Sequence, residues 1–212
     1  MKRELRIYSK GVINRVKTLN FLLTGVGGQG TLLASDVLAE VGLRAGYDAK
    51  KSEVHGMAQR GGSVVSHVRW GDKVYSPLIG RGEVDFLLAF EKLEAMRYIE
   101  FLRPGALAII NEQRIVPISV SSGGDEYPDD VRLKEVLRAV TENFHFVPAT
   151  NLAAELGNAR ASNVVLLGAL SAFLDVPLEL WLEVIAGRVP ERFIALNQRA
   201  FKEGRNMMVE RL

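Results

Sequence analysis

The stretch Leu19-Asn-Phe-Leu-Leu-Thr-Gly-Val-Gly-Gly-Gln-Gly30 constrains this chain more than any other. The apolar run Phe21–Leu23 predicts a buried strand. Leu33, Val37 and Val41, with Ala34 and Leu38 beside them, predict an amphipathic helix over 31–45, closed by Gly46. Between the two, Gly25, Gly27 and Gly30 fit the spacing G-x-G-x-x-G, with Gly28 as an extra glycine. Strand, glycine turn and helix, in that order, make the phosphate-binding corner of a doubly wound sheet. Glycines let the chain turn sharply and bring backbone N–H groups against an anion at the helix N-terminus.

The rest of the chain agrees with an α/β domain built on that corner. Tyr47–Ser52 reads as a second strand, and Ser63–Arg69 alternates like a half-buried one. Gly71-Asp72 then predicts a hairpin turn into Lys73–Tyr75. His67 falls on the polar phase of its strand, which predicts a surface or interface position. Residues 84–90 are nearly all apolar, as in a parallel strand buried on both faces. A helix over 91–102, a strand over 106–110 and a further, antiparallel strand over 115–120 follow. Residues 121–130 are turn-rich; Leu133, Val136, Leu137 and Val140 mark a helix, and 144–148 a last strand in which His145 is structural.

From Asn151 onward the pattern is helical, over 164–174, 178–185 and 191–209, with Asn163 as the expected N-cap of the first of these. That segment is apolar nearly all round and needs cover from core or partner. The expected architecture is a three-layer, Rossmann-like α/β fold with a mostly parallel sheet and a helical C-terminal part. Residues 1–18 form a basic N-terminal extension, and 19–212 the domain.

Bulk properties exclude several function classes. A net charge of +2 over 212 residues is too small to suggest a nucleic-acid partner. The chain has no cysteine, so it carries no disulfide, thiolate nucleophile or cysteine-ligated cluster. The longest apolar stretch, Val164–Leu174, is too short for a bilayer, and the first 18 residues are basic rather than signal-like. A cytoplasmic protein without a membrane partner is expected.

A second motif, Ser52-Glu-Val-His-Gly-Met-Ala-Gln-Arg-Gly-Gly-Ser63, separates two strand patterns. A polar connection of this length is more often functional than accidental. Arg60 beside Gly61 and Gly62 puts a cation next to backbone that another surface can approach. His55 and Glu53 are suited to proton chemistry and Met57 to an apolar contact. The competing reading is an ordinary loop with Arg60 ion-paired and His55 solvated. A nicotinamide site would also want an acid about 20 residues beyond the glycines, at the end of the second strand. Asp48 is near that distance but starts its strand, and Glu53 runs into the motif.

Together, the segments Gly25–Gly30 and Ser52–Gly62 closely resemble the gamma-type domain of the 2-oxoacid:ferredoxin oxidoreductases, most of all the small subunit of the indolepyruvate type. The resemblance covers roughly residues 19 to 200 and leaves the N-terminal extension outside it. It implies an enzyme that decarboxylates a 2-oxoacid on thiamine diphosphate, passes electrons through iron–sulfur clusters to ferredoxin, and captures the acyl group with coenzyme A. This chain has neither cysteines nor a G-D-G motif with later paired asparagines. Thiamine diphosphate, Mg and the [4Fe-4S] clusters are therefore expected on a larger alpha subunit, the partner of this one. Gly25, Gly27, Gly28, Gln29 and Gly30 would then hold an anion such as a coenzyme A phosphate. Glu53, His55, Met57, Gln59, Arg60, Gly61 and Gly62 would face the thiamine site at the interface, Arg60 meeting a carboxylate or phosphate and His55 relaying a proton. Four alternatives stay open: a subunit of another 2-oxoacid:ferredoxin oxidoreductase, glycines that serve only close packing, an independent NAD(P)- or flavin-dependent enzyme, and a non-catalytic nucleotide-binding regulator.

Overall fold

The computed structural model describes residues 18–55 and 62–211, apart from the side chains of His55 and Ile118. Six strands form one mixed sheet in the order β2-β3-β1-β4-β5-β6: β1 (Leu19–Val26), β2 (Asp48–His55), β3 (Ser63–Gly71), β4 (Val84–Ala89), β5 (Leu102–Asn111) and β6 (Phe144–Val147). β1, β4, β5 and β6 pair in parallel, whereas β3 runs antiparallel between β2 and β1.

Alternation across the pleat assigns the two faces. Phe21, Leu23, Phe86, Leu88, Leu107 and Ile109 point to one layer; Leu22, Leu87, Ala89, Ala108 and Ile110 point to the other. The first layer holds α1 (Thr31–Arg44), and the second α2 (Lys92–Arg97) and α4 (Asp130–Arg138). A sheet covered on both sides needs apolar residues on both faces, which is why β4 is apolar at every position except Asp85. α1 ends in a Schellman motif at Gly46 (φ 93°), where the Tyr47 N–H reaches the Gly42 carbonyl and the Gly46 N–H that of Leu43.

The helical C-terminal part comprises α5 (Ala149–Glu155), α6 (Ser162–Ser171), α7 (Leu178–Arg188) and α8 (Ile194–Val209). Every residue of α6 is buried, so its all-round apolar character is satisfied inside this chain. Two glycines make that packing possible. A Cβ on Gly168 would lie 2.0 Å from the Phe201 carbonyl oxygen, and one on Gly204 2.0 Å from that of Val165. Among the described residues no helix is long and apolar enough to cross a membrane.

Several local expectations are corrected. Residues 73–75 form no strand; the Val74 N–H instead donates to Asp48 Oδ2 at 2.7 Å, and Val74 is buried. Residues 115–120 form no strand either, because Pro117 has no N–H for a ladder and instead opens a short helix, α3 (Ile118–Ser121), whose Ser121 N–H returns to its carbonyl. The helix over 91–102 stops at Arg97, followed by a 3-10 turn at Ile99–Phe101. Leu102 is drawn into the sheet opposite Val84, so β5 starts there and bulges through Pro104 and Gly105 before Leu107 pairs with Phe86.

His67 is likewise not a surface residue. It is 6% exposed, because residues 74–79 fold over β3, and its Nδ1 accepts the Ile79 N–H at 3.2 Å. Burial holds the imidazole pKa below its usual value. A base with a depressed folded pKa stabilises the fold above its unfolded pKa and loses that contribution as pH falls through the folded one. Glutamine at 67 keeps an acceptor and does not titrate. Urea unfolding at pH 7.5 and pH 5 should therefore show a steeper acid loss in the wild type than in His67→Gln; equal losses would contradict this account.

Candidate functional site at the carboxyl edge of the sheet

Four parallel strands deliver their C-terminal ends to one edge, and β3 starts there. At that edge β1 passes through the glycine turn into α1. Gly28 and Gly30 have φ of 104° and 80°, the region that favours glycine. A Cβ at Gly25 would meet Thr31 Oγ1 at 2.9 Å and Phe90 Cβ at 3.0 Å, whereas one at Gly28 would meet nothing within 4 Å. Gly25 and Gly30 are thus needed for packing, and Gly28 leaves open space. The first bond of α1 joins the Ala34 N–H to the Gly30 carbonyl at 3.1 Å, and no side chain caps the helix. Among the described residues no side chain accepts from the N–H groups of its first turn.

Gln29 works from behind the turn. Its Oε1 accepts the Val26 N–H at 2.7 Å, and its Nε2 donates to the Phe90 carbonyl at 2.8 Å and to Gln113 Oε1 at 3.0 Å. Asn163, expected as an N-cap, instead lies inside α6 and donates Nδ2 to the Gly30 carbonyl at 3.2 Å, tying the buried helix to the turn.

The second motif is partly strand: β2 continues through Glu53 and Val54 to His55, which pairs with Val64, so β2 and β3 form a hairpin. The Gly62 carbonyl accepts the Gly27 N–H at 2.9 Å, which sets the base of that hairpin's tip against the glycine turn. Glu53 is held by Lys51 Nζ at 2.6 Å. Met57, Gln59, Arg60 and Gly61 lie outside the described residues, as does the His55 side chain.

Two polar clusters that sequence reasoning missed complete the edge. In one, Asn111 Nδ2 donates to the Phe90 carbonyl (3.1 Å) and to Thr150 Oγ1 (2.9 Å), and Thr150 Oγ1 donates to Gln113 Oε1 (3.1 Å). In the other, Glu91 and Glu94 are 1% and 2% exposed. Glu91 Oε2 caps α2 by accepting the Glu94 N–H at 3.0 Å, and its Oε1 accepts from the Ile115 N–H and the Tyr127 hydroxyl. Glu94 accepts from Ser63 Oγ and Arg97, and burial pushes its carboxyl above the usual range against those two contacts. The only sequence signal for either cluster is polar side chains just after buried strands.

Asp48 stands at the opposite edge, paired with Gly71 and bonded to the Val74 N–H, where it cannot hold a ribose beside the glycine turn. No group of three or more acidic or histidine side chains suited to a metal ion occurs among the described residues.

A sequence model described as pyruvate ferredoxin/flavodoxin oxidoreductase matches residues 20–207. Indolepyruvate oxidoreductase subunit IorB of Thermococcus kodakarensis is 45% identical over 195 residues, 89% of this chain and 95% of that protein. The gamma subunit of a keto/oxoacid ferredoxin oxidoreductase from Geobacter sulfurreducens superimposes with a TM-score of 0.68 at 26% identity, over 91% of this chain and 99% of that one. A 2-oxoglutarate:ferredoxin oxidoreductase from Magnetococcus marinus, solved with 2-oxoglutarate, coenzyme A and succinyl-CoA, shares the fold with a TM-score of 0.70 at 24% identity, this chain matching 32% of its length. On sequence and fold together, the chain belongs to the pyruvate ferredoxin/flavodoxin oxidoreductase family, beside the small subunits of indolepyruvate oxidoreductases.

Proposed function

We propose that this chain is the small subunit of a thiamine-diphosphate-dependent indolepyruvate:ferredoxin oxidoreductase, which converts aryl pyruvates to aryl-acetyl-CoA and passes the electrons to ferredoxin. The observation that carries this reading is the junction of the two motifs. The Gly27 N–H to Gly62 carbonyl bond holds the N-terminus of α1 and the start of β3 together at one edge of the sheet. An anion fits there, because no described side chain accepts from the first-turn N–H groups of α1 and a Cβ at Gly28 would meet nothing within 4 Å. Coenzyme A supplies such an anion in its phosphates. Thiamine diphosphate, Mg and the [4Fe-4S] clusters belong, in this proposal, to a larger alpha subunit, consistent with the absence of cysteine here. The thiamine supplies the carbanion chemistry. This chain's part is to position coenzyme A and to close the interface through Glu53, His55, Met57, Gln59, Arg60, Gly61 and Gly62.

Co-expression with a candidate large subunit, followed by dye reduction dependent on indolepyruvate, coenzyme A and thiamine diphosphate, tests the reading. Activity is expected only with both chains present. A lone chain that stays unpartnered and binds a dinucleotide tightly would overturn it. Within the active complex, Arg60→Ala should reduce turnover by roughly 10²-fold, the scale for losing one charged contact to a reacting group. Its unfolding midpoint should match the wild type; matched losses of turnover and stability would remove Arg60 from the site.

A further inference from the structure

We infer that Glu94 is a positioning residue of this edge: through Ser63 it holds the last rung between the two motifs in the register that the partner subunit meets. The inference rests on the functional reading above and adds to it a residue outside both motifs.

The ladder between β1 and β3 ends at this rung. Val26 and Ser63 are its final register pair, and the Gly27 N–H to Gly62 carbonyl bond extends it by one step. Backbone bonds at strand ends open first, so a terminal rung keeps its register only when something holds it from the side. Ser63 lies on the same face of β3 as Val65, which packs with Leu22, Leu87 and Ala95. Where Val65 meets that layer through apolar contact, Ser63 meets it through a hydrogen bond. Ser63 Oγ donates to Glu94 Oε2.

Helix α2 turns a row of polar groups toward this one hydroxyl. Glu94, Arg97 and Tyr98 stand at i, i+3 and i+4 and so share a face. Arg97 Nη1 donates to Glu94 Oε1 at 2.7 Å, and the Tyr98 hydroxyl lies 3.1 Å from Ser63 Oγ. Ser63 has one proton and gives it to the carboxylate, so Tyr98 is the donor in that contact. Glu94 is 2% exposed, and its neighbour Glu91 is a second buried carboxylate. Burying a charge is costly unless it is both paired and hydrogen-bonded. Arg97 answers the charge, yet its side chain is 44% exposed. A carboxylate needed only for that pair would sit in solvent beside it; buried, Glu94 reaches the base of the hairpin instead.

Amide hydrogen exchange in the full chain reads the rung directly at Gly27. Ser63→Ala and Glu94→Ala should each speed Gly27 exchange about 10-fold, the scale for losing a hydrogen bond to a charged group, with Leu22 and Leu87 unchanged. The double variant should add little to either single one. Glu94→Gln, which can bond Ser63 in either amide orientation, should stay near the wild type. Titrated into the large subunit, the Ser63→Ala chain should need about 10-fold more protein for half-maximal turnover and reach the same plateau. Unchanged Gly27 exchange in Ser63→Ala would overturn the inference. So would exchange that rises at Gly27 and Leu22 alike, the mark of a merely structural loss. Faster Gly27 exchange with an unshifted titration would also overturn it, while the functional reading would stand. A wild-type pair without turnover would overturn both.

Discussion

Replacing Gly204 by alanine should remove about 3 kcal/mol or more of stability, and Gly204→Val should yield no soluble folded chain. Alanine in a helix interior normally gains about 1 kcal/mol over glycine. Here the added Cβ would stand 2.0 Å from the Val165 carbonyl oxygen, and Gly168 makes the reciprocal approach to Phe201. The obstacle is backbone on a helix buried along its whole length, so neither side can yield by a rotamer change. Overpacking a close-packed core costs about 1–3 kcal/mol when side chains can adjust, and more when the backbone must move. Against a total of about 5–15 kcal/mol, that loss is a large fraction. Gly187, near the end of α7 with nothing within 4 Å of its would-be Cβ, is the control. Gly187→Ala should be neutral or slightly stabilising in urea unfolding of the same preparation. If Gly204→Ala unfolds with the wild type, the α6–α8 approach is not as close as described.

That crossing illustrates what the sequence could not show. An apolar run marked α6 and spacing marked α8, but Gly168 and Gly204 acquire meaning only when two segments cross at one point in space. The glycine turn was legible because it is local: strand, turn and helix lie within Leu19–Arg44, and each glycine does a job set by its neighbours. The β2–β3 hairpin was half legible. β3 alternates in sequence, yet it lies between β2 and β1 and is covered by residues 74–79, so His67 on its polar phase is buried. The strand expected over 115–120 failed because β propensity ignored Pro117, whose fixed φ and missing N–H favour a helix start. The amide cluster was out of reach for another reason. Gln29, Phe90, Gln113 and Thr150 meet only because the sheet order brings the ends of β1, β4, β5 and β6 to one edge.

Gly30→Ala decides between two uses of the glycine turn, packing and anion binding. At φ 80° a Cβ is strained by about 1–2 kcal/mol. The same Cβ would also lie 2.4 Å from Nδ2 of Asn163, a side chain 4% exposed with no room to swing away. The single variant should lose roughly 2–4 kcal/mol, combining the left-handed strain with a displaced, buried amide. Adding Asn163→Ala removes the obstacle but not the backbone strain, so the double variant should unfold later than the sum of the single losses implies, by about 1 kcal/mol. Activity of the assembled enzyme then separates the readings. If the glycines serve only close packing, coenzyme A affinity should recover along with stability. If the first-turn N–H groups of α1 hold a phosphate, affinity should stay low, because the strained turn still aims them away from it while the fold is restored.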